Sequence, residues 1–405
     1  MKNQSWHQIR LGDAVKINNK SIDRSFHYDE IEYFDTSSVY KNFFNEPEVL
    51  KREDAPSRAR RLVQNGDVII STVRPNQEHV GLIQKPKENT VVSTGFAVIT
   101  PISIESKFLY YYLSQPSIVA YLSAIAETST STFPAIRPEI LEDLQVTIPA
   151  YIEEQKRIGE FLFLFDQKID LNLKTNQTLE EISQAIFKEW FIDFNYPGAT
   201  GEMVDSPLGP IPKGWRVSSV GDIVELANET ITPGKTPDIL FSHYSIPAFD
   251  GARFPLKEFG SSILSNKFIV KCNSVLVSKL NPRFPRVWPI KDVEEDTSIC
   301  STEFQVLLPK KEYYHSFVYN LFNQPFMIDT MRSMVSGTSS SHQRVDPKAM
   351  LKIHILLPAD PTIYNFEQKT KECLSLQENN LQESINLGEI RDSLLPKFMS
   401  GEIEV

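Results

Sequence analysis

From residue 153 to residue 190 the apolar positions settle into helical spacing: Ile158, Leu162, Phe165, Ile169, Leu179, Ile186 and Trp190 share one face, and no proline interrupts them. The pattern predicts one long amphipathic helix, about 50 Å at 1.5 Å per residue, longer than a domain of ordinary size is wide. A stripe of that kind forfeits about 25 cal/mol per Å² if left in water, so it needs a partner. The chain supplies one between Glu367 and Leu394, where Leu374, Leu381, Ile385, Leu387, Ile390 and Leu394 recur at the same spacing. Two such helices predict an antiparallel coiled coil. Asn172, Asn176 and Ser183 fall at core-type positions of the first seam, where polar residues fix register at a cost in stability.

Outside the two seams the pattern changes to short apolar runs separated by turns, and the runs come twice. Trp6 and Leu11-Gly12-Asp13-Ala14-Val15 are matched by Trp215 and Val220-Gly221-Asp222-Ile223-Val224, 209 residues later. Val68-Ile69-Ile70-Ser71 with Pro75 is matched by Val275-Leu276-Val277-Ser278 with Pro282, and Ser93-Thr94 by Ser301-Thr302. Gln115-Pro116 is matched by Gln324-Pro325, Pro138 by Pro347 and Pro149 by Pro358, again at 209. Matches in collinear order at nearly constant offset indicate a tandem duplication. The expected fold is therefore α+β: two mixed α/β domains of the same fold, related by pseudo-two-fold symmetry and separated by the coiled coil. The boundaries read as 1–152 for the first domain, 153–195 for the central helix, 196–360 for the second domain and 361–405 for the C-terminal helix.

Composition narrows the class. Of 405 residues, 41% are hydrophobic and 23% charged, enough for two ordinary cores. No run reaches the ~20 apolar residues of a spanning helix and the first residues lack the apolar block of a signal peptide, so no membrane contact and a cytoplasmic location are expected. Cys272, Cys300 and Cys373 have no paired spacing and read as small buried hydrophobes. The net charge of −10 falls almost wholly on the two helical segments, which leaves the two domains near neutral and able to present local basic clusters.

Catalysis finds no carrier. Gly234-Lys235-Thr236 ends like a phosphate loop, but Glu229 stands where that loop needs glycine and Pro237 blocks the helix that should follow. Asn281-Pro282-Arg283-Phe284 is similar to an amino-methyltransferase motif, yet Arg283 replaces its second proline and no glycine-rich loop after a strand could hold a methyl donor. The seven histidines, His79, His243 and His354 among them, lack metal-ligand spacing. No cofactor and no metal are expected.

Binding fares better. Thr72, Arg74 and Asn76 follow one matched strand; Lys279, Asn281, Arg283 and Arg286 follow the other; Arg58, Arg60 and Arg61 add a basic cluster. Arg reads guanine, Asn reads adenine and Lys holds phosphate, so these side chains suit base-edge readout. The hydroxyl-rich runs containing Thr130 and Ser131, and Thr338, Ser339 and Ser340 followed by His342, Gln343 and Arg344, are suited to phosphate.

With these features assembled, the chain resembles the specificity subunits of Type I restriction-modification systems. The likeness rests on Ile211-Pro212-Lys213-Gly214-Trp215, Ile148-Pro149 leading to Glu154-Gln155-Lys156-Arg157-Ile158, Ser278-Lys279-Leu280-Asn281-Pro282-Arg283, and Leu394-Leu395-Pro396-Lys397-Phe398 with Ser400-Gly401-Glu402. The resemblance implies a non-catalytic subunit whose two target recognition domains each read half of a bipartite, asymmetric target in double-stranded DNA. It also implies that the coiled coil docks two methyltransferase (M) subunits, joined by restriction/translocase (R) subunits. Two other classes stay open on the residues alone: a DNA-modifying enzyme acting by itself, as adenine methyltransferase or nuclease, and a protein-only scaffold.

Overall fold

The computed structural model describes residues 6–128, 134–251, 253–335 and 343–405. Two helices of 40 residues each dominate it, Ile152–Phe191 and Asp360–Met399. The second opens seven residues before Glu367, because Pro361 sits in its first turn, where the missing N–H costs nothing. Pro396 lies inside its last turn.

The chain divides into two compact units, one holding residues up to 171 with 384–405, the other 172–383. The first unit holds two four-stranded sheets. One runs Val15–Ile17, Phe96–Pro101, Val68–Ser71, Val80–Leu82; the other runs Glu48–Lys51, Glu30–Phe34, Thr90–Ser93, Ala59–Leu62. The strands of the first sheet are antiparallel throughout, and in the second the pair Glu30–Phe34 and Thr90–Ser93 is parallel. The second unit repeats the order. Val224–Ala227, Phe304–Pro309, Ser274–Ser278 and Val287–Ile290 form one sheet. Thr230–Ile231, Lys267–Ile269, Ser298–Cys300, Leu240–Tyr244 and Leu256–Phe259 form the other, with one parallel pair in the corresponding place.

An aromatic helix fills the space beside each antiparallel sheet: Ser106–Leu113, buried from Phe108 to Leu113, and His315–Phe322, buried along its whole length. The first is enclosed from Phe108 onward and the second on every side, with the polar His315, Ser316 and Asn320 buried along with its apolar residues. Gly159 lets the central helix close on the first of them, since a Cβ there would stand 2.8 Å from the Phe108 backbone nitrogen.

In each unit the long helices run antiparallel. In the first, Phe161 meets Phe398 with ring centroids 5.4 Å apart, and Asp166 pairs with Arg391. In the second, Asn172 Nδ2 donates to Glu383 Oε2 at 2.8 Å and Phe187 meets Phe366 at 5.8 Å. Phe187, Trp190, Phe191, Trp215, Phe317 and Phe366 form one aromatic cluster of edge-to-face and tilted pairs, in which an edge-to-face pair adds about 0.5–1.5 kcal/mol beyond its buried area.

Ile158, Leu162, Ile169 and Trp190 are buried, while Phe165, Leu179 and Ile186 are half-buried. On the C-terminal helix Leu374, Leu381, Ile385 and Leu394 are only half-buried, and Ile390 is 46% exposed. The row that faces inward there is Ile363, Phe366, Thr370, Asn380, Leu395 and Phe398, with Arg391 among them. Leu374 and Leu394 pack against the cores of their units, but apolarity marked the inward row only in part, because half of it is polar. Its middle is an amide ladder: Asn176 Nδ2 donates to the Gln377 carbonyl at 3.0 Å, Gln377 Nε2 returns a bond to the Asn176 carbonyl at 2.8 Å, and Asn380 Nδ2 donates to Asn176 Oδ1 at 2.8 Å.

The cysteine expectation needs correcting. Cys300 is buried, Cys373 is half-covered and Cys272 is exposed, its turn held by Glu295, which accepts the Cys272 N–H at 3.0 Å. No helix among the described residues is long and apolar enough to cross a membrane.

Candidate nucleic-acid interface

In each unit the matched apolar strand ends in a corner tied to two other loops by main-chain hydrogen bonds. In the first unit Thr72 N donates to the Gly95 carbonyl at 2.8 Å, Arg74 N to the Pro134 carbonyl at 2.8 Å, and Ile136 N to the Thr72 carbonyl at 2.8 Å. In the second, Lys279 N donates to Glu303 at 2.9 Å, Asn281 N to Gln343 at 2.9 Å, and Val345 N to Lys279 at 3.0 Å. Isolated bridges join Val73 to Ala135 and Leu280 to Arg344. A serine hydroxyl closes each corner, Ser71 Oγ on the Val73 carbonyl at 2.8 Å and Ser278 Oγ on Leu280 at 3.2 Å.

The turning residue is left-handed in both, Arg74 at φ 49° and Asn281 at φ 48°. Asparagine accepts that region readily; for arginine it is strain, which the converging bonds hold in place. The correspondence is therefore residue by residue: Thr72 with Lys279, Arg74 with Asn281, Gly95 with Glu303, Ala135 with Arg344.

These junctions gather several of the expected residues. Asn76 lies in the turn Pro75–Gln77 that follows Arg74. The Arg58 carbonyl accepts from Thr94 N at 2.8 Å, which brings Arg58 to the same turn as Thr72, where its guanidinium faces Asp35 at 3.7 Å. Arg60 and Arg61 lie further along the strand Ala59–Leu62, where the Arg60 carbonyl accepts from Ile22 N and Arg61 bridges Ser21. Arg61 is half-buried, and desolvation lowers its guanidinium from the ordinary value.

In the second unit Arg283 lies over the Phe284 ring, 4.8 Å from its centroid, and Phe284 N donates to the Asn281 carbonyl at 2.9 Å in a tight turn. Phe284 is 53% exposed and was not among the expected residues; an aromatic ring between two arginines in a proline turn was the available signal. Arg286 is clamped by Asp250 through Nε at 2.6 Å and Nη2 at 2.8 Å, with 14% of its side chain exposed. Gln343 and Arg344 belong to the junction. Glu303 accepts from Arg344 and raises its guanidinium above the ordinary value. Thr130, Ser131, Thr338, Ser339, Ser340 and His342 lie outside the described residues.

Among the described residues no cluster of His, Cys, Asp and Glu could hold a metal ion. Pro233–Lys235 is a single tight turn with no helix after it. His243 Nδ1 lies 2.5 Å from Glu258 and buried His315 contacts the Ser274 carbonyl, so each has a structural partner.

Residues 3–181 match the family described as Type I restriction modification DNA specificity domain. The chain is 26% identical over 472 residues to the Type I restriction enzyme HindI specificity subunit of Haemophilus influenzae, covering 98% of this chain and 99% of that one. It is 26% identical over 363 residues to the MjaIX specificity subunit of Methanocaldococcus jannaschii, covering 85% and 79%. In fold it is similar to the S subunit of a Type-I restriction-modification system from M. genitalium, at a TM-score of 0.53, 14% identity and coverage of 98% and 97%.

Proposed function

We propose that the chain is a DNA specificity subunit, a non-catalytic component, of a Type I restriction-modification system and that it reads a bipartite, asymmetric target, one half-site per recognition domain; the match of residues 3–181 and the likeness along the chain to the HindI specificity subunit support this reading. The observation that carries this reading is the duplicated junction, in which the same main-chain bonds carry different side chains, Arg74 and Thr72 in one copy, Asn281 and Lys279 in the other. One frame with two sets of donors is what two different half-sites require.

On this proposal residues 1–152 and 196–360 are the two readers, and the paired helices set the spacing between half-sites and dock two methyltransferase subunits, to which restriction/translocase subunits add. The polar ladder of Asn176, Gln377 and Asn380 supports the spacing role, because unlike an all-apolar seam it admits one register only. The test is a gel-shift with the assembled complex on duplexes altered in one half-site at a time. Arg74→Ala is expected to weaken recognition of one half-site and Arg283→Ala of the other. Equal loss on both half-sites from either substitution would refute the division of labour.

A further inference from the structure

Arg286 ends the turn that follows the second corner, and its guanidinium is bonded through all three nitrogens. Nε and Nη2 donate to the two oxygens of Asp250 at 2.6 and 2.8 Å, and Nη1 donates back into the turn, to the Phe284 carbonyl at 3.4 Å. The Arg286 carbonyl accepts from Ser278 N at 2.9 Å, so the same residue closes the base of the turn. Asp250 ends the short helix Ile246–Asp250, whose Phe249 ring meets Trp288 with centroids 5.4 Å apart. Just past that helix Arg253 lies over Phe249, 5.1 Å from its centroid, and its Nη1 donates at 3.0 Å to Glu180 Oε2 on the central helix. Tyr319 Oη donates to the other Glu180 oxygen at 3.3 Å.

Side-chain links thus run in line from the turn to the helix: Phe284 to Arg286, Arg286 to Asp250, and Arg253 to Glu180. Stability is a weak reason for the last of them, because 53% of the Arg253 side chain is exposed and such pairs add little. Positioning is a better one. A turn ordered beforehand does not give up, on binding, the freedom that a loose one would lose. The first unit ties the corresponding segments by other means. After its parallel strand Glu30–Phe34 comes the hairpin of Val39–Tyr40 and Phe43–Phe44, where Lys41 N donates to the Glu78 carbonyl at 3.1 Å and Lys41 Nζ meets the Glu78 carboxylate at 3.0 Å, just beyond the turn that holds Asn76. In both units the segment after the parallel strand is bonded to the loop after the corner.

We propose that Asp250, Arg253 and Glu180 form a brace that holds the turn of residues 281–284 in place against the central helix, and that Arg286 is a positioning residue of this brace and not a base contact. This rests on the DNA-reading role above and reassigns one residue within it. The second recognition domain then presents Arg283 and Phe284 in one orientation before DNA arrives.

The experiment uses the full chain assembled with its methyltransferase subunits. Its target is first defined by sequencing methylated positions in cells that express the complex. Binding is then measured by competition on duplexes changed at one base pair at a time, over a series of salt concentrations, for the native chain, Arg286→Met, Asp250→Ala, Arg253→Met and Arg253→Lys, with a thermal melt of each variant. Arg286→Met and Asp250→Ala should each lose about three- to ten-fold in discrimination at the same base pairs of one half-site, and the double variant should lose no more than either alone. Arg253→Met should lose less at those pairs with an unchanged melt, and Arg253→Lys, which keeps the charge beside Glu180, should lose least. Arg253→Met decides the matter if the Arg286 pair cannot be broken without unfolding. The dependence of log affinity on log salt should be as steep for Arg286→Met as for the native chain, whereas loss of a phosphate contact would reduce the slope by about one. The proposal fails if Arg286→Met alone loses discrimination, if it reduces that slope, or if Arg253→Met leaves the half-site untouched. A methylated motif without two parts would instead overturn the underlying function.

Discussion

Arg391→Met should unfold the first unit at a markedly lower temperature. Asp166 and Arg391 face each other across the two long helices with side chains 9% and 11% exposed, and Tyr111 Oη donates to Asp166 Oδ2 at 2.7 Å. Burial raises the Asp166 carboxyl above its ordinary 3.8 even though Arg391 opposes the shift. With Arg391 gone, Asp166 keeps the tyrosine hydroxyl but loses its counter-charge, a change that costs about 3–5 kcal/mol at buried pairs. For a unit of this size that is a fall of roughly 6–20 °C in melting temperature, readable by differential scanning calorimetry at pH 7. Replacing both partners, Asp166→Leu with Arg391→Met, should recover part of the loss, because a well-packed apolar pair does as well as a buried ionic one while the Tyr111 hydroxyl is left without its acceptor. The sign with pH follows. A carboxyl whose folded value is raised contributes stability that is fully present below its unfolded value and lost as pH rises through the folded one, so Arg391→Met should regain stability on acidification. A drop under about 1 kcal/mol, or a double variant no better than the single one, would refute the reasoning.

Two further outcomes are expected. Asn176→Leu removes the acceptor for Asn380 Nδ2 and the donor for the Gln377 carbonyl, and should cost about 1–3 kcal/mol in a thermal melt despite adding apolar surface. The Asp222 carboxylate, which accepts from the Ser219 hydroxyl and main-chain N–H and from Ser218, is lowered to about 2. Its contribution is present above the unfolded 3.8 and lost as pH falls through about 2, so carbon-detected NMR titration should find that low midpoint, and Ser219→Ala should raise it.

The duplication was legible because it rests on residues whose physics is local. Pro75 and Pro282 follow strands, Gln115-Pro116 and Gln324-Pro325 begin helices, and the buried runs at Val68 and Val275 are strongly apolar. The central helix could be read for the same reason, and Asn172, Asn176 and Ser183 were recognisable as seam positions because apolar neighbours framed them. The C-terminal helix was harder. Its inward row includes Thr370, Asn380 and Arg391, each satisfied by a partner that hydrophobicity cannot reveal. At the interface, the loops after matched strands were identifiable, but the side chains enclosed by acids were not: that Asp250 takes Arg286 and Glu303 takes Arg344 depends on elements 36 and 41 residues away in sequence.

The paired corners also bear on how such a protein changes. What holds each corner is main chain: three N–H to carbonyl bonds and an isolated bridge that do not depend on which side chain the turning residue carries. Arg74 and Asn281, or Thr72 and Lys279, differ in size, charge and hydrogen-bonding capacity, yet the polypeptide takes the same path beneath them. A mutation at these positions can thus change the side chains that the corner presents while the scaffold stays folded, so that, on the proposed reading, drift toward new targets is separated from the risk of collapse.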